Sequence, residues 1–305
     1  MLLENLFAEY LLECQIRKFT PKTIRGYKNC IDLLVRYCKE KHGITDVKDV
    51  SHIHIRMFFK ELTETNHKES YINTLLKSYR AFFKYATAEE YIDVNPCDKV
   101  RWAKEETPII ETFTDKEVKG LIKAYNDYDY LSVRNKTIIC MLVDTGIRCN
   151  EMCILPTEAV KEDVISIFGK GKKYRQVALS PYLEKMLLRY QKCKEAYFRY
   201  KNVPDNLFLS RTGRPLTVEA VERIVRTAGE TANVRSEIRC SPHTCRHYFA
   251  QSQLRNGMDV YSLSRVMGHN SISITQRYLN SLNDKDIVIK SVNASPLMNI
   301  MWKYD

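Results

Sequence analysis

Four separated stretches of this chain carry polar side chains at positions able to meet a ligand. One is SPHTCRHYFA, residues 241–250. Ser241 reads as a helix N-cap and Pro242 as the first helical residue. His243 then falls in the first turn, where unpaired N–H groups and the helix dipole favour an anion, and Arg246, three residues on, shares its face. The second stretch is DTGIRCNE, residues 144–151. An apolar helix ends at Gly146, Arg148 follows at once, and Glu151 stands where its carboxylate can hold that guanidinium. The third is Lys170, flanked by two glycines in GKGKK, where the backbone can approach a ligand closely. The fourth is Gly268-His269-Asn270, followed by Thr275-Gln276-Arg277-Tyr278. Each alone fits an ordinary structural role equally well: a solvated arginine past a helix end, a solvated lysine-rich tip, a hydrogen-bonded histidine in a first turn.

The surrounding pattern supplies the elements that must carry these residues. Leu3, Leu6, Phe7, Tyr10, Leu11 and Cys14 recur at helical spacing, and Thr20-Pro21 starts a second stripe through Ile24, Tyr27, Ile31, Leu34, Val35 and Cys38. Ser51 caps a third helix and Ser70 opens a fourth. The spacing therefore predicts a bundle of about four helices over residues 1–100. Its outer faces carry Lys22, Arg25, Lys28, Lys77, Arg80 and Lys84. Residues 101–112 read as a charged linker. Thr114 with Glu117 is a capping box, and residues 133–143 form a helix apolar nearly all round, hence buried. The β-branched run at 164–168 and the alternating run at 174–179 predict a hairpin with a lysine-loaded tip. Further helices start at Ser180-Pro181, Thr217 and Ser241-Pro242, and another spans 260–267. The fold class is mainly α with a small β-hairpin.

Composition narrows the partners. Lysine and arginine total 48 against 37 acids, a net charge of +11, which favours a polyanion through counterion release. The ten cysteines lie mostly within apolar helical patterns and read as reduced core thiols. Cys240, His243, Cys245 and His247 superficially suggest metal ligands, but their spacing matches no paired zinc pattern and a helix directs them different ways. No metal is expected. No apolar run is long enough to span a bilayer, and the first residues read as an amphipathic helix rather than a signal peptide.

Taken in order, Thr145-Gly146-Ile147-Arg148-x-x-Glu151, Gly169-Lys170-Gly171, His243-x-x-Arg246, Gly268-His269 and Tyr278 resemble the signature of the tyrosine recombinase family, the phage integrases and Xer-type enzymes. The resemblance covers residues 112–280. The N-terminal bundle resembles that family's SAM-like core-binding domain, including Thr20-Pro21-x-Thr23-x-x-x-Tyr27. This implies a core-binding domain at 1–100, an α+β catalytic domain at 113–282, and a tail at 283–305 that is exchanged between protomers or packed on its own domain.

The resemblance implies phosphoryl transfer on double-stranded DNA. Tyr278 is then the nucleophile, forming a 3′-phosphotyrosyl bond. Arg148 and Arg246 clamp the non-bridging oxygens, since guanidinium offers fixed, always-charged donors. His243 and His269 add hydrogen bonds, and His243 is also a candidate to accept the tyrosine proton. Lys170 protonates the leaving oxygen, with Lys172 and Lys173 as rivals for that role and as DNA contacts, and Glu151 orients Arg148 or a histidine. The covalent link conserves bond energy, so neither ATP nor another cofactor is required. The family pattern implies a protein that is a monomer or weak oligomer when free, a homotetramer on two DNA sites, and a cytoplasmic, nucleoid-associated location. Its lysine- and tyrosine-rich composition, with the wording His-Thr-Cys-Arg-His and Gly-His-Asn-Ser, leans towards integration, excision or transposition of a mobile element. Rival readings are a type IB topoisomerase-like enzyme and a non-catalytic DNA-binding regulator.

Overall fold

A computed structural model describes residues 1–105, 110–169, 174–281, 288 and 295–297. Lys170, Lys172 and Lys173 at the expected hairpin tip, and most of the apolar tail, lie outside the described residues. The chain forms two compact units, Met1–Thr107 and Pro108–Asp305.

In the first unit, α1 (Leu3–Ile16), α2 (Pro21–His42), α3 (His52–Glu64) and α4 (Glu69–Ala88) bury one core. Thr20 caps α2 by accepting from the Thr23 N–H at 3.2 Å, with Pro21 at the first position, and Gly43 closes the helix in the left-handed region. Ser51 precedes α3, where Nδ1 of His54 accepts from the Ser51 backbone N–H at 3.1 Å. That places an imidazole where a capping box usually has a carboxylate. The fourth helix begins one turn position earlier than Ser70 suggests: Lys68 holds the extended cap position, and Glu69 puts a negative charge on the first turn.

Lys22, Arg25, Lys28, Lys77 and Lys84 are exposed on α2 and α4. Arg80 is not presented in the same way. It is half-buried, its Nη2 donates to the Val100 carbonyl at 2.8 Å, and its guanidinium lies 4.6 Å from the centre of the Trp102 ring. The stretch expected to be a linker from 101 to 112 is also bonded at both ends. Asn73 pairs reciprocally with the Ala103 backbone at 2.9 and 3.0 Å in the first unit. In the second, Thr112 donates to the Thr244 carbonyl at 3.1 Å. One asparagine side chain can thus replace a missing backbone partner and fix a segment that composition marks as irregular.

The second unit is built around α6 (Tyr130–Thr145), preceded by α5 (Asp115–Lys123). α7 (Cys149–Cys153) follows, then β1 (Val164–Phe168), β2 (Tyr174–Ala178), α8 (Pro181–Tyr197) and α9 (Val218–Thr231). α10 (Pro242–Arg255), α11 (Val260–Met267) and α12 (Ile272–Gln276) complete the unit. α6 packs against both α8 and α10, which is why it is apolar nearly all round. The strands pair antiparallel with Phe168 opposite Tyr174, and Ile165, Ile167, Arg175 and Val177 share the inner face of the hairpin. α10 and α11 bury a separate cluster of Phe249, Leu254, Leu263, Met267 and Tyr278. No helix among the described residues is long and apolar enough to cross a membrane.

Gly146 links this packing to the site. It ends α6 at φ +58, and a Cβ there would collide with the Phe249 ring of α10. A left-handed conformation costs a residue with a Cβ about 1–2 kcal/mol, and overpacking adds about 1–3 kcal/mol. Gly146→Ala is therefore expected to destabilise the chain by about 2–5 kcal/mol in urea unfolding; an unchanged midpoint would contradict this packing.

Candidate active site

The C-terminus of α11 is the anchor of the site. The last carbonyls of a helix have no intrahelical partner and sit at the negative end of its dipole. Here three arginines from three other elements take them up. Arg175 of β2 donates from Nε to the Val266 carbonyl at 3.0 Å, and Arg246 of α10 donates from Nη2 to Met267 at 2.7 Å. Arg148, between α6 and α7, donates from Nη2 to Gly268 at 2.7 Å. Gly268 itself caps α11 in the left-handed region, so the chain turns there and delivers His269.

Each arginine has a second anchor. Arg246 also donates from Nη1 to the Gly146 carbonyl at the end of α6, and its Nη2 lies 2.9 Å from Nε2 of His269. Arg148 pairs with Glu151 at 2.9 Å, while Arg175 grips the same carboxylate with both Nη atoms at 2.9 and 2.7 Å. Glu151 is 7% exposed. Its burial favours the neutral acid, yet hydrogen bonds and charge from Arg175 and Arg148 outweigh that and hold its carboxyl below the usual range. The expectation that Glu151 orients Arg148 or a histidine thus meets an arginine pair in the structure. One carboxylate for three guanidiniums leaves the cluster strongly positive.

This cluster opens into a cleft of about 760 Å³ whose lining includes Arg148, His243, Arg246, His269 and Tyr278. Ser241 caps α10 as its sequence suggests, accepting from the Thr244 N–H at 3.2 Å, and His243 is exposed at that helix start. Arg239 and Arg277 join the lining, against Glu222 as the one acid of that lining among the described residues. A guanidinium has five N–H donors, and the contacts above use only some of those on Arg148 and Arg246. The cleft is therefore suited to a tetrahedral oxyanion such as a phosphodiester. Cys245 is buried in the core and Cys240, just before α10, packs beside Gly229, so Cys240, His243, Cys245 and His247 do not gather at one point.

Residues 111–285 match the Phage integrase family, and residues 5–90 match the phage integrase N-terminal SAM-like domain. The chain belongs to the phage integrase family, the tyrosine recombinases. These are site-specific recombinases that cleave and rejoin DNA. The recombinase is 31% identical over 285 residues to tyrosine recombinase XerC of Anoxybacillus flavithermus, covering 92% of this chain and 93% of the relative. It is 27% identical over 290 residues to tyrosine recombinase XerC of Pediococcus pentosaceus, covering 93% and 95%. Its fold is similar to that of the XerH site-specific recombinase solved in a post-cleavage complex with palindromic difH. That likeness has a TM-score of 0.76 at 20% identity and covers 92% of this chain and 82% of the other.

The protonation states of the recombinase follow from burial among cations. Burial, then Arg246, Arg148 and Arg175, push His269 down to about 4. Burial, then His243, Arg246 and Arg277, do the same to His247, also to about 4. Both are neutral near pH 7. With Nε2 accepting from Arg246, Nδ1–H of His269 donates to Thr275 Oγ1 at 2.8 Å. In this state the ring steadies Arg246 rather than offering a donor to the cleft. Arg246 is itself lowered to about 10, by burial and then Arg148 and Arg175, and stays charged. Tyr278 is 4% exposed, and its burial raises the phenol despite the opposing effect of Arg246, Arg277 and Arg148.

Arg175, Arg239, His247 and Arg277 lie at the site but were given no part in its chemistry from sequence. Arg175 occupies an inward position of a half-buried strand, and a cation there demands a buried acid. His247 follows His243 by four residues and so shares its helix face. Arg277 directly precedes Tyr278. Lys170 lies outside the described residues, but its hairpin is tied to the site through Arg175.

Glu151→Gln should leave two arginines short of a counter-charge and cost about 3–5 kcal/mol of unfolding free energy, as breaking a buried pair does. A change within error in chemical denaturation would show that the pair contributes nothing net. The histidines set a pH dependence. Their folded values near 4 lie below the usual 6.5, so between those limits the unfolded chain holds more protons. Stability is therefore full above the upper limit and falls with pH, by up to about 1.4 kcal/mol per unit per imidazole. Comparing denaturation at about pH 7.5 and about pH 5, the loss should shrink in His269→Asn relative to the unaltered chain.

Proposed function

We propose that this recombinase cuts and rejoins duplex DNA through a 3′-phosphotyrosyl intermediate on Tyr278. The observation that carries the reading is the opening of Arg148, His243, Arg246, His269 and Tyr278 onto one cleft. A phosphodiester gains negative charge on its non-bridging oxygens as the fifth oxygen bonds to phosphorus. Arg148 and Arg246, already fixed by helix-end carbonyls, meet that charge without reorganising, which is where preorganised donors stabilise a transition state most. His243, exposed at the start of α10, donates to the same oxygens. His269 holds Arg246, and acquires an N–H to offer once a bound phosphate raises its pKa. Lys170 protonates the departing O5′, with Lys172 and Lys173 as its neighbours on the tip. Glu151 and Arg175 fix Arg148 in place.

Lys22, Arg25, Lys28, Lys77 and Lys84 contact DNA phosphates and carry most of the salt-dependent affinity; Arg80 would do so only by leaving Val100 and Trp102. Four protomers act on two DNA sites in the cytoplasm, in the service of a mobile element. A second cavity of about 1170 Å³ has the exposed side chains of Ile154, Phe168 and Tyr174 in a lining that also carries Glu158, Lys161 and Arg265. This surface suits the apolar tail of a neighbouring protomer.

Incubating the protein with nicked target DNA in EDTA should give an SDS-resistant protein–DNA adduct. Tyr278→Phe should abolish it, by about 10³-fold or more, as loss of a nucleophile does, while DNA binding persists. An adduct that survives this change would move the nucleophile elsewhere.

A further inference from the structure

The environment of the Tyr278 hydroxyl contains a group that the reading above leaves without a task. Nδ1 of His247 lies 2.9 Å from Tyr278 Oη. The two rings are 5.5 Å apart at 60°, and His247 packs edge-on against His243 at 4.2 Å and 68°. Both histidines come from α10, one turn apart, so the helix that supplies Arg246 also fixes the imidazole beside the phenol. His247 is half-buried, which limits the orientations open to its ring.

We propose that His247 is the general base that takes the proton of Tyr278 as its oxygen attacks phosphorus; this deepens the phosphotyrosyl reading and rests on it. The geometry meets the first requirement, a base within hydrogen-bond reach of the proton. The charge state meets the second. With its pKa lowered by burial, His243, Arg246 and Arg277 in turn, the ring is neutral and has a lone pair to give. With Nε2 carrying the proton, Nδ1 accepts from the phenol. A base this weak cannot ionise a buried phenol in the empty cleft, and so the nucleophile stays protected. A bound phosphodiester changes the balance, because its charge offsets Arg246 and Arg277 and lifts the imidazole towards its ordinary value. The phenol proton also becomes far more acidic as the oxygen bonds to phosphorus.

The step balances. The Oη–H bond breaks while Oη–P forms, and the proton passes to Nδ1 of His247. The P–O5′ pair leaves with O5′, which takes its proton from a separate donor, Lys170 in the reading above. On rejoining, the O5′ hydroxyl attacks phosphorus and passes its proton back to the donor that supplied it; the Oη–P bond breaks, its pair leaves with Oη, and His247 returns its proton to Tyr278.

The test measures the rate of covalent adduct formation on nicked duplex DNA for the unaltered protein, His247→Asn, His247→Ala and Tyr278→Phe, with DNA affinity measured in parallel. Both histidine variants should bind DNA as before and react about 10²-fold or more slowly, the usual contribution of a positioned base. Added imidazole should restore rate to His247→Ala, which also shows that the variant is folded. On a substrate with sulfur as the bridging 5′ atom, whose thiolate leaves without protonation, the defect should persist. An unaltered rate in His247→Asn, a defect that disappears with sulfur, a loss confined to affinity, or no response to imidazole would each overturn the assignment. An adduct in Tyr278→Phe would instead remove the phosphotyrosyl reading beneath it.

Discussion

The site depends on guanidinium groups being held by the exposed ends of helices. Val266, Met267 and Gly268 at the end of α11, and Gly146 at the end of α6, present carbonyls that regular helix geometry leaves unpaired. Arg148, Arg175 and Arg246 satisfy them. The bonds serve both parties: a helix end that would be costly to bury gains donors, and a charge that would be costly to bury gains acceptors. Because each carbonyl takes only part of an arginine's donor set, the arrangement fixes orientation and leaves positive charge to face the cleft. Glu151 completes it by drawing two arginines together without neutralising the third.

The same constraint explains the placement of glycines and histidines. Gly146 and Gly268 both adopt left-handed conformations immediately before a residue that lines the cleft or the turn that leads to one. They stop their helices abruptly, so the last carbonyls stay exposed and Arg148 and His269 are delivered at the point where those carbonyls converge. Neutral histidines then fit among the arginines where charged ones would repel. His269 steadies Arg246, and His247 meets the tyrosine hydroxyl.

Much of this was legible in the sequence. Helix caps at Thr20, Thr114, Ser180, Thr217 and Ser241 form as their residue types indicate, because capping is local chemistry. The hairpin follows from alternation, and recognition as a tyrosine recombinase follows from ordered motifs. What escaped depends on tertiary partners. Arg175 needs Glu151, 24 residues away, and local patterning does not reveal that distance. The bonded ends of the 101–112 stretch depend on Asn73 and Thr244, and the engagement of Arg80 depends on Trp102. His247 was visible as the next turn after His243, but its role appears only when Tyr278 is brought beside it.

The central claim is that these separated side chains converge on one phosphorus. The most direct measurement is a crystal structure of Tyr278→Phe bound to duplex target DNA. The account predicts that Arg148, His243 and Arg246 each place a nitrogen within hydrogen-bond distance of the non-bridging oxygens of a single phosphate, facing residue 278. Side chains distributed over different phosphates, or turned away from the DNA with their helix-end bonds intact, would contradict it.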